Sequence, residues 1–335
     1  MTMRLFKAIV NAVYPSGLFK VLVGIIFIQA ANADIRQIYV SNEKSSTLTV
    51  LDGKSYEFVR SIKTCKRPRG VHFNLDRSQF FVGCADDNII AIYDTASGDR
   101  VGRIRSIEEP ETFDLTPDGK LLIVSNEEDA AASFVDIASG KVIGNVRLGE
   151  EPEGVQITRD GSTVYVASEA ANLVHVIDVK SMEVVADILV GTRPRRFALT
   201  PDESELWVSA ELAGLVDIID TKTHKVIGDI SFLPTGFRRN EVTPVDLLMT
   251  RDGKTAFVAL GRANHVAIVD VAKRKVETYI LVGKRPWGLS LSADEKTLFV
   301  ANGLSDDISI IDVTSRRVLK SVPVGQVPYG ILLDE

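Results

Sequence analysis

Cysteine and histidine are scarce in this chain, which has two cysteines and four histidines among 335 residues. The two cysteines, Cys65 and Cys84, form no C-x-x-C pair, so a redox motif of that kind is excluded and a metal role is disfavoured. No C-x-x-C-H occurs, which excludes covalent haem. The histidines fall at non-equivalent positions of the repeat described below. We therefore expect neither a metal centre nor a haem cofactor.

A long hydrophobic run is missing as well. The apolar residues 21–28 (VLVGIIFI) fall far short of the roughly 18 residues that span a bilayer. Three cations precede or flank this run, and Ala-Asn-Ala at 31–33 resembles a signal-peptidase site. We expect residues 1–33 to be a secretory signal peptide, and not an anchor, with residues 34–335 exported to the periplasm or secreted.

Positive charge is not in excess. The formal net charge is -6, and removal of residues 1–33 makes it -9, because that segment holds three cations and no acid. Such a balance gives no electrostatic reason to bind nucleic acid. The expected partners are a periplasmic protein, such as a redox or transport component, or a small ligand, and a monomer with no membrane span is expected.

A proline with similar neighbours recurs through the chain at a spacing of 42 residues, interrupted once by a spacing of 50. The series is Pro68, Pro110, Pro152, Pro194, Pro244, Pro286 and Pro328. A second series has the same spacings: Asp52, Asp94, Asp136, Asp178, Asp220, Asp270 and Asp312. Two series that share one period and one insertion indicate an internal repeat.

Each repeat holds four short runs of alternating apolar residues, separated by turn residues. Asp-Gly pairs such as Asp160-Gly161 are typical of tight turns between antiparallel strands. Four strands per unit predict an all-β, seven-bladed β-propeller with four-stranded blades. The last run, after Pro328, supplies the innermost strand that the first unit lacks, so the N- and C-terminal strands close the ring in a shared blade.

The repeat tags "IYVSNEKSSTLTVLD", "VYVASEAANLVHVIDV" and "LFVANGLSDDISIIDV" resemble the YVTN family of β-propeller repeats. The chain is most similar to periplasmic members associated with pyrroloquinoline quinone (PQQ)-dependent catabolism of alcohols. The resemblance implies a seven-bladed ring, export and an accessory role beside such oxidation, and it provides no catalytic residues. The Trp-docking pattern of quinoprotein dehydrogenases is missing, so PQQ itself is not expected to bind.

Loops that precede the innermost strands should converge on one mouth of the channel, together with the loops between second and third strands. The charged residues beside the repeat prolines differ there from blade to blade. We also expect an eight-residue insertion between Asp220 and Pro244 to overhang the same face. Ion pairs that only tie blades together would explain these charges, and so would a binding site. The candidate residues for a ligand or partner are Arg69, Glu111, Glu153, Arg195, Arg196, Arg238, Arg239, Trp287 and Tyr329.

Three functional hypotheses follow from the intact repeat without a unique catalytic set. The first is a non-enzymatic periplasmic binding or scaffold protein. The second is a propeller hydrolase of the lactonase type, with an acid and an arginine at the channel mouth. The third is a passive structural protein of the cell envelope. For Cys65 and Cys84, a disulfide and two free buried thiols both remain open, because loop geometry decides whether the Cα atoms come within about 7 Å.

Overall fold

The computed structural model describes residues 34–335; the expected signal peptide lies outside the described residues. The secondary structure described is β-strand, apart from two 3-10 turns at Ala85–Asp87 and Arg239–Glu241. Within this part of the chain, no helix has the length and hydropathy to cross a membrane.

Seven antiparallel sheets of four strands form the blades of a propeller. Blade 1 contains β1 (Gln37–Asn42), β2 (Thr47–Asp52), β3 (Phe58–Lys63) and β28 (Pro328–Asp334). Blade 2 contains β4 (Pro68–Phe73), β5 (Gln79–Cys84), β6 (Ile89–Asp94) and β7 (Arg100–Ile104). Blade 3 contains β8 (Pro110–Leu115), β9 (Leu121–Asn126), β10 (Ala131–Asp136) and β11 (Lys141–Arg147).

The other four blades repeat this order. Blade 4 contains β12 (Pro152–Ile157), β13 (Thr163–Ser168), β14 (Leu173–Asp178) and β15 (Glu183–Leu189). Blade 5 contains β16 (Pro194–Leu199), β17 (Glu205–Ala210), β18 (Leu215–Asp220) and β19 (Lys225–Ser231). Blade 6 contains β20 (Pro244–Met249), β21 (Thr255–Leu260), β22 (His265–Asp270) and β23 (Lys275–Leu281). Blade 7 contains β24 (Pro286–Leu291), β25 (Thr297–Asn302), β26 (Asp307–Asp312) and β27 (Arg317–Pro323).

The two ends of the described chain close the ring, as the repeat predicts. β28 pairs antiparallel with β1, and Gln37 lies opposite Asp334 in the register. Arg36 adds a 2.8 Å ion pair to Asp334. The predicted seven-bladed fold and its shared blade are therefore confirmed, and β28 covers the inner edge of β1.

The hydrophobic core lies between neighbouring blades. Trp207 and Val216 of blade 5 pack with Leu247 and Val258 of blade 6, and the other blade pairs do the same with their own apolar residues. The second and third strands of each blade are covered on both faces, which explains why they read as nearly continuous hydrophobic runs.

The recurring aspartates cap turns. Each one accepts a hydrogen bond from the backbone N–H three residues later, at 2.6 to 2.9 Å. In the first turn of blade 2, Asp76-Arg77 stands where blade 4 has Asp160-Gly161. Arg77 there adopts φ 57°, the left-handed region that Gly161 adopts at φ 72° in blade 4.

Cys65 and Cys84 form a disulfide in the structure, with Cα atoms 5.7 Å apart. The bond joins the loop that enters blade 2 to the end of its second strand. In blade 4 the equivalent loop residue, Gly149, donates its N–H to His175 at 3.0 Å and accepts a 3.1 Å hydrogen bond from Ser168. The disulfide thus replaces a hydrogen-bonded contact that another blade makes without cysteine.

Candidate functional site

Six of the seven repeat prolines follow a non-glycine residue with a left-handed backbone, at φ 51 to 63°. This conformation is unfavourable for such residues, particularly before proline. A hydrogen bond compensates for it: the carbonyl of Arg193, for example, accepts the N–H of Glu211 at 2.8 Å. The recurrent turn directs the residue after each proline into the channel mouth.

Arg195 is buried within this mouth, with 4% of its surface exposed. Its Nε donates a 2.7 Å hydrogen bond to Glu211. Its Nη1 lies 3.0 Å from Glu169 and 3.3 Å from Glu153. One buried guanidinium therefore contacts three carboxylates from blades 4 and 5, and burial without them would be strongly unfavourable.

Arg69 occupies the equivalent position in blade 2 and pairs with Glu111, which is fully buried. It also lies 3.4 Å from Glu43 and 3.8 Å from Glu153. Arg67 lies above it and reaches Glu111 at 3.3 Å. These contacts join blades 1 to 4 at the mouth.

Glu153 connects the two groups of arginines. Besides Arg69 and Arg195, it accepts hydrogen bonds from Arg196 at 3.1 Å and from the Tyr329 hydroxyl at 2.8 Å. Arg196 also donates to the Tyr329 oxygen. The resulting mouth network consists of Glu43, Arg67, Arg69, Glu109, Glu111, Glu153, Glu169, Arg193, Arg195, Arg196, Glu211, Arg285 and Tyr329.

Two aromatic rings form one wall of the site. Trp287 and Tyr329 lie 5.6 Å apart between centroids, tilted by 37°. The guanidinium of Arg195 lies 5.0 Å from the centroid of the Trp287 ring, and that of Arg69 lies 4.6 Å from the Tyr329 centroid. Both distances are within the range of a cation–π interaction, so the rings and the arginines fix one another's orientation.

Burial and neighbouring charge shift the protonation of this site. Burial opposes ionisation of Glu153, but Arg195, Arg196 and Arg69 outweigh it and lower the pKa to about 2. Burial raises the pKa of Tyr329 to about 12, so its hydroxyl remains a donor. Glu153 is consequently an ionised, firmly bound carboxylate at neutral pH.

A cavity of about 150 Å³ lies in the channel below the mouth network. An engineered cavity of about this volume holds a benzene-sized molecule. Apolar side chains from several blades line part of the cavity. Its polar and aromatic lining comes from Thr112, Phe113, Arg196, Asp246, Trp287 and Tyr329.

Asp246 is the least expected of these residues. Its carboxylate accepts backbone N–H groups of Leu247 at 2.9 Å and Leu289 at 2.7 Å. Burial raises its pKa, and Arg196 partly counteracts that effect. Among the described residues no cation forms an ion pair with Asp246, so it and Arg196 line the same cavity as separate polar groups.

The structure brings together seven of the nine candidate site residues. The exceptions are Arg238 and Arg239, which are exposed on the inserted loop and make no ion pair with the network in the described part of the chain. Phe232 of the same loop is only 2% exposed and belongs to the core between blades 5 and 6. The loop therefore contributes core packing as well as surface.

Sequence reasoning missed Asp246 and Thr112. Both stand two positions after a repeat proline, where four blades have glycine and the fifth has Arg196. The glycines are needed because neighbouring inner strands approach closely: a Cβ at Gly154 would overlap the carbonyl oxygen of Arg195. A residue other than glycine at this position thus indicates a side chain that lines the cavity, because it enters the channel where four blades have no side chain.

One group of three carboxylates among the described residues has the spacing of a cation site. Ligand oxygens of Glu109, Glu111 and Glu127 lie within 4.8 Å of one another. Arg67 already pairs with the first two. Burial, with the nearby carboxylates of Glu109 and Glu153, raises the pKa of Glu127 to about 7. The group therefore resembles an extension of the mouth network more than a metal centre.

These features define the class of the protein as a seven-bladed β-propeller, and comparison with known proteins agrees. A family model described as "Lactonase, 7-bladed beta-propeller" matches residues 182–322. A second, described as "YNCE-like beta-propeller", matches residues 76–198. Each covers less than half of the chain, and neither reaches the finer YVTN or PQQ-associated assignment. No curated protein matches the chain.

Solved structures show the same architecture. Hydrazine synthase of Kuenenia stuttgartiensis is 23% identical, with a TM-score of 0.70 over 78% of this chain and 88% of that one. A functionally unknown protein from Desulfotomaculum acetoxidans is 15% identical, with a TM-score of 0.75 over 89% and 98%. The periplasmic gluconolactonase PpgL of Pseudomonas aeruginosa is 20% identical, with a TM-score of 0.74 over 89% and 99%. At these identities the likeness shows the fold alone.

Proposed function

We propose that the protein is a binding protein whose ligand, a small neutral oxygen-containing molecule, occupies the channel cavity below the mouth network. The observation that carries this proposal is the placement of Arg196 and Asp246 on one cavity beside Trp287 and Tyr329. Small-molecule sites commonly place a few convergent polar groups beside apolar walls, and this cavity has both.

The charges around the cavity favour a neutral ligand. Arg196 is already paired with Glu153, whose low pKa keeps it ionised. An added anion would meet Glu153 and Asp246, and an added cation would meet Arg196. A carbonyl or ether oxygen can instead accept from the guanidinium, and a hydroxyl can donate to Asp246, while the aromatic wall covers the carbon skeleton.

Tryptophan fluorescence tests this proposal directly, because the chain has only two tryptophans. Trp207 is fully buried between blades, and Trp287 lines the cavity. In a Trp207→Phe variant, short alcohols, hydroxyketones and lactones are screened for a change in Trp287 emission. Binding should weaken in Arg196→Lys and Asp246→Asn, but not in Glu183→Gln, which alters an exposed side chain on the opposite face of the ring. A panel that changes neither emission nor melting temperature would rule the proposal out.

The setting of this binding role forms part of the proposal. The features of residues 1–33 support export to the periplasm, and the YVTN-like repeat tags support an accessory role beside PQQ-dependent alcohol oxidation or transport. Fractionation of producing cells and capture of partners from periplasm with the tagged protein test both statements. Retention of the protein in the cytoplasm would contradict them.

Lactone hydrolysis is a second candidate function, favoured by the lactonase family model over residues 182–322. That range contains Arg196 and Asp246 but not Glu111 or Glu153. A carboxylate with a pKa of about 2, such as Glu153, is a weak base, whereas the raised pKa of Asp246 suits a general base next to a carbonyl held by Arg196. Wild type should hydrolyse a lactone and Asp246→Asn should not; absence of wild-type hydrolysis across γ- and δ-lactones removes this candidate.

A further inference from the structure

The mouth face carries opposite kinds of side chain on its two sides. Its loops in blades 2 and 3, residues 85–88, 105–109, 127–130 and 148–151, contain nine acids and one cation. We name these acids the acidic arc: Asp86, Asp87, Glu108, Glu109, Glu127, Glu128, Asp129, Glu150 and Glu151. None of the large apolar residues that the structure exposes lies in these four loops.

The opposite side of the face is basic and apolar. Four leucines there are 50 to 67% exposed: Leu212, Leu233, Leu281 and Leu304. Four cations are exposed beside them: Arg238, Arg239, Arg262 and Lys284. We name these eight residues the basic-leucine arc. Two exposed acids, Glu241 and Asp306, lie near them in the same loops. The arc belongs to blades 5 to 7, so it lies across the channel from the acidic arc.

We propose that this face binds a second copy of the chain, mouth to mouth. A two-fold axis lying in the plane of the face places the acidic arc of each copy against the basic-leucine arc of the other. The dimer therefore contains two equivalent contacts between the arcs. With seven blades, the same axis brings the blade 3 loop with Glu128 and Asp129 towards the inserted loop with Arg238 and Arg239. A dimer of this kind differs from the monomer expected from the sequence.

A second copy suits this face better than other occupants. A uniformly cationic partner would bind the acidic arc but be repelled by four exposed arginine and lysine side chains. An apolar partner would cover the leucines but leave the exposed acids of the acidic arc, such as Glu128, Asp129 and Glu150, without counter-charges. Exposed apolar residues bordered by charge mark interaction surfaces, and complementary charge fixes their register. This inference does not depend on the ligand proposed for the cavity.

Charge reversal with mixing tests the proposal. One variant carries Glu128→Lys and Asp129→Lys, and the other carries Arg238→Glu and Arg239→Glu. In a homodimer of either variant, like charges meet at both contacts, whereas a mixture of the two restores attraction at both. Sedimentation velocity should therefore show wild-type dimers, monomers for each variant alone, and dimers for the equimolar mixture.

A control variant, Glu57→Lys with Glu183→Lys, makes the same change in net charge as the Glu128→Lys, Asp129→Lys variant, at exposed acids on the opposite face. It should dimerise like wild type, and each mouth variant should dissociate about tenfold or more readily. Added salt should weaken the wild-type dimer, since the contacts are solvent-exposed. A monomeric wild type at high protein concentration and low salt would overturn the proposal, as would variants that dimerise normally or a mixture that stays monomeric.

Discussion

The hydroxyl of Tyr329 donates a 2.8 Å hydrogen bond to Oε1 of Glu153, 176 residues earlier in the chain. Tyr329 belongs to the last strand, in blade 1, and Glu153 belongs to blade 4. The bond crosses the channel, so the strand that closes the ring also completes the mouth network. The candidate site is therefore complete only when the last strand closes the ring.

Replacement of Glu153 by glutamine should destabilise the fold strongly. Glu153 is 3% exposed and balances Arg69, Arg195 and Arg196. Loss of one member of a buried ion-pair group leaves uncompensated charge and costs about 3–5 kcal/mol in the free energy of unfolding. Urea denaturation measures the change. Glu183→Gln, at an exposed residue on the opposite face, serves as the control and should change stability by about 0.5 kcal/mol or less.

The loss of stability in Glu153→Gln, relative to wild type, should become smaller in acid. The pKa of Glu153 falls to about 2 in the fold, from an ordinary 4.5. A lowered pKa contributes stability above the unfolded value, and that stability disappears as the pH falls through the folded value. The difference in unfolding free energy between wild type and Glu153→Gln should thus be full above pH 5 and shrink towards pH 2. A difference that is constant over this range would contradict the ionised state of Glu153.

The fold could be predicted from the sequence because the proline and aspartate series mark the same strand starts and turns in every blade. The mouth residues could be predicted for the same reason, since Arg69, Glu153 and Arg195 occupy one position of the repeat. Their pairing could not, because a contact such as Tyr329 to Glu153 joins blades that are distant in the chain.

The errors and open questions have physical causes too. Arg238 and Arg239 lie outside the mouth network, because they belong to an insertion for which no other blade provides a template. Asp246 was missed because a single aspartate in an apolar strand has no distinctive pattern. The pairing of Cys65 and Cys84 depended on a loop whose course the spacing alone does not determine.

The narrowness of the channel gives a prediction about glycine. A Cβ at Gly154 would overlap the backbone oxygen of Arg195, which belongs to the next inner strand and cannot move aside alone. We expect Gly154→Ala to lower the unfolding free energy by about 2 kcal/mol or more, as overpacking does. Gly102→Ala is the control, because its Cβ would meet only the Ile92 side chain, at 3.3 Å. Equal melting temperatures for the two variants would contradict this view of the channel.

Loss of the disulfide should destabilise blade 2 without opening the ring. Cys65 and Cys84 are 19 residues apart, and closure of a loop of this size in the unfolded chain corresponds to about 3 kcal/mol. Cys65→Ser with Cys84→Ser should therefore lower the urea midpoint, and reduction of wild type should lower it similarly. A reducing agent should leave the double variant unchanged. If reduction of wild type has no effect either, the two thiols are not bonded in solution.

Deletion of residues 328–335 should abolish cooperative folding. It removes β28, exposes the inner edge of β1 and takes away Tyr329, so both the shared blade and the bond to Glu153 are lost. An exposed strand edge favours aggregation. The matched control is Tyr329→Phe, which keeps the strand and removes only the hydroxyl; it should cost about 1 kcal/mol and unfold cooperatively. Calorimetry of the two proteins separates the effects, and a truncated chain that melts like wild type would show that the ring does not need its last strand.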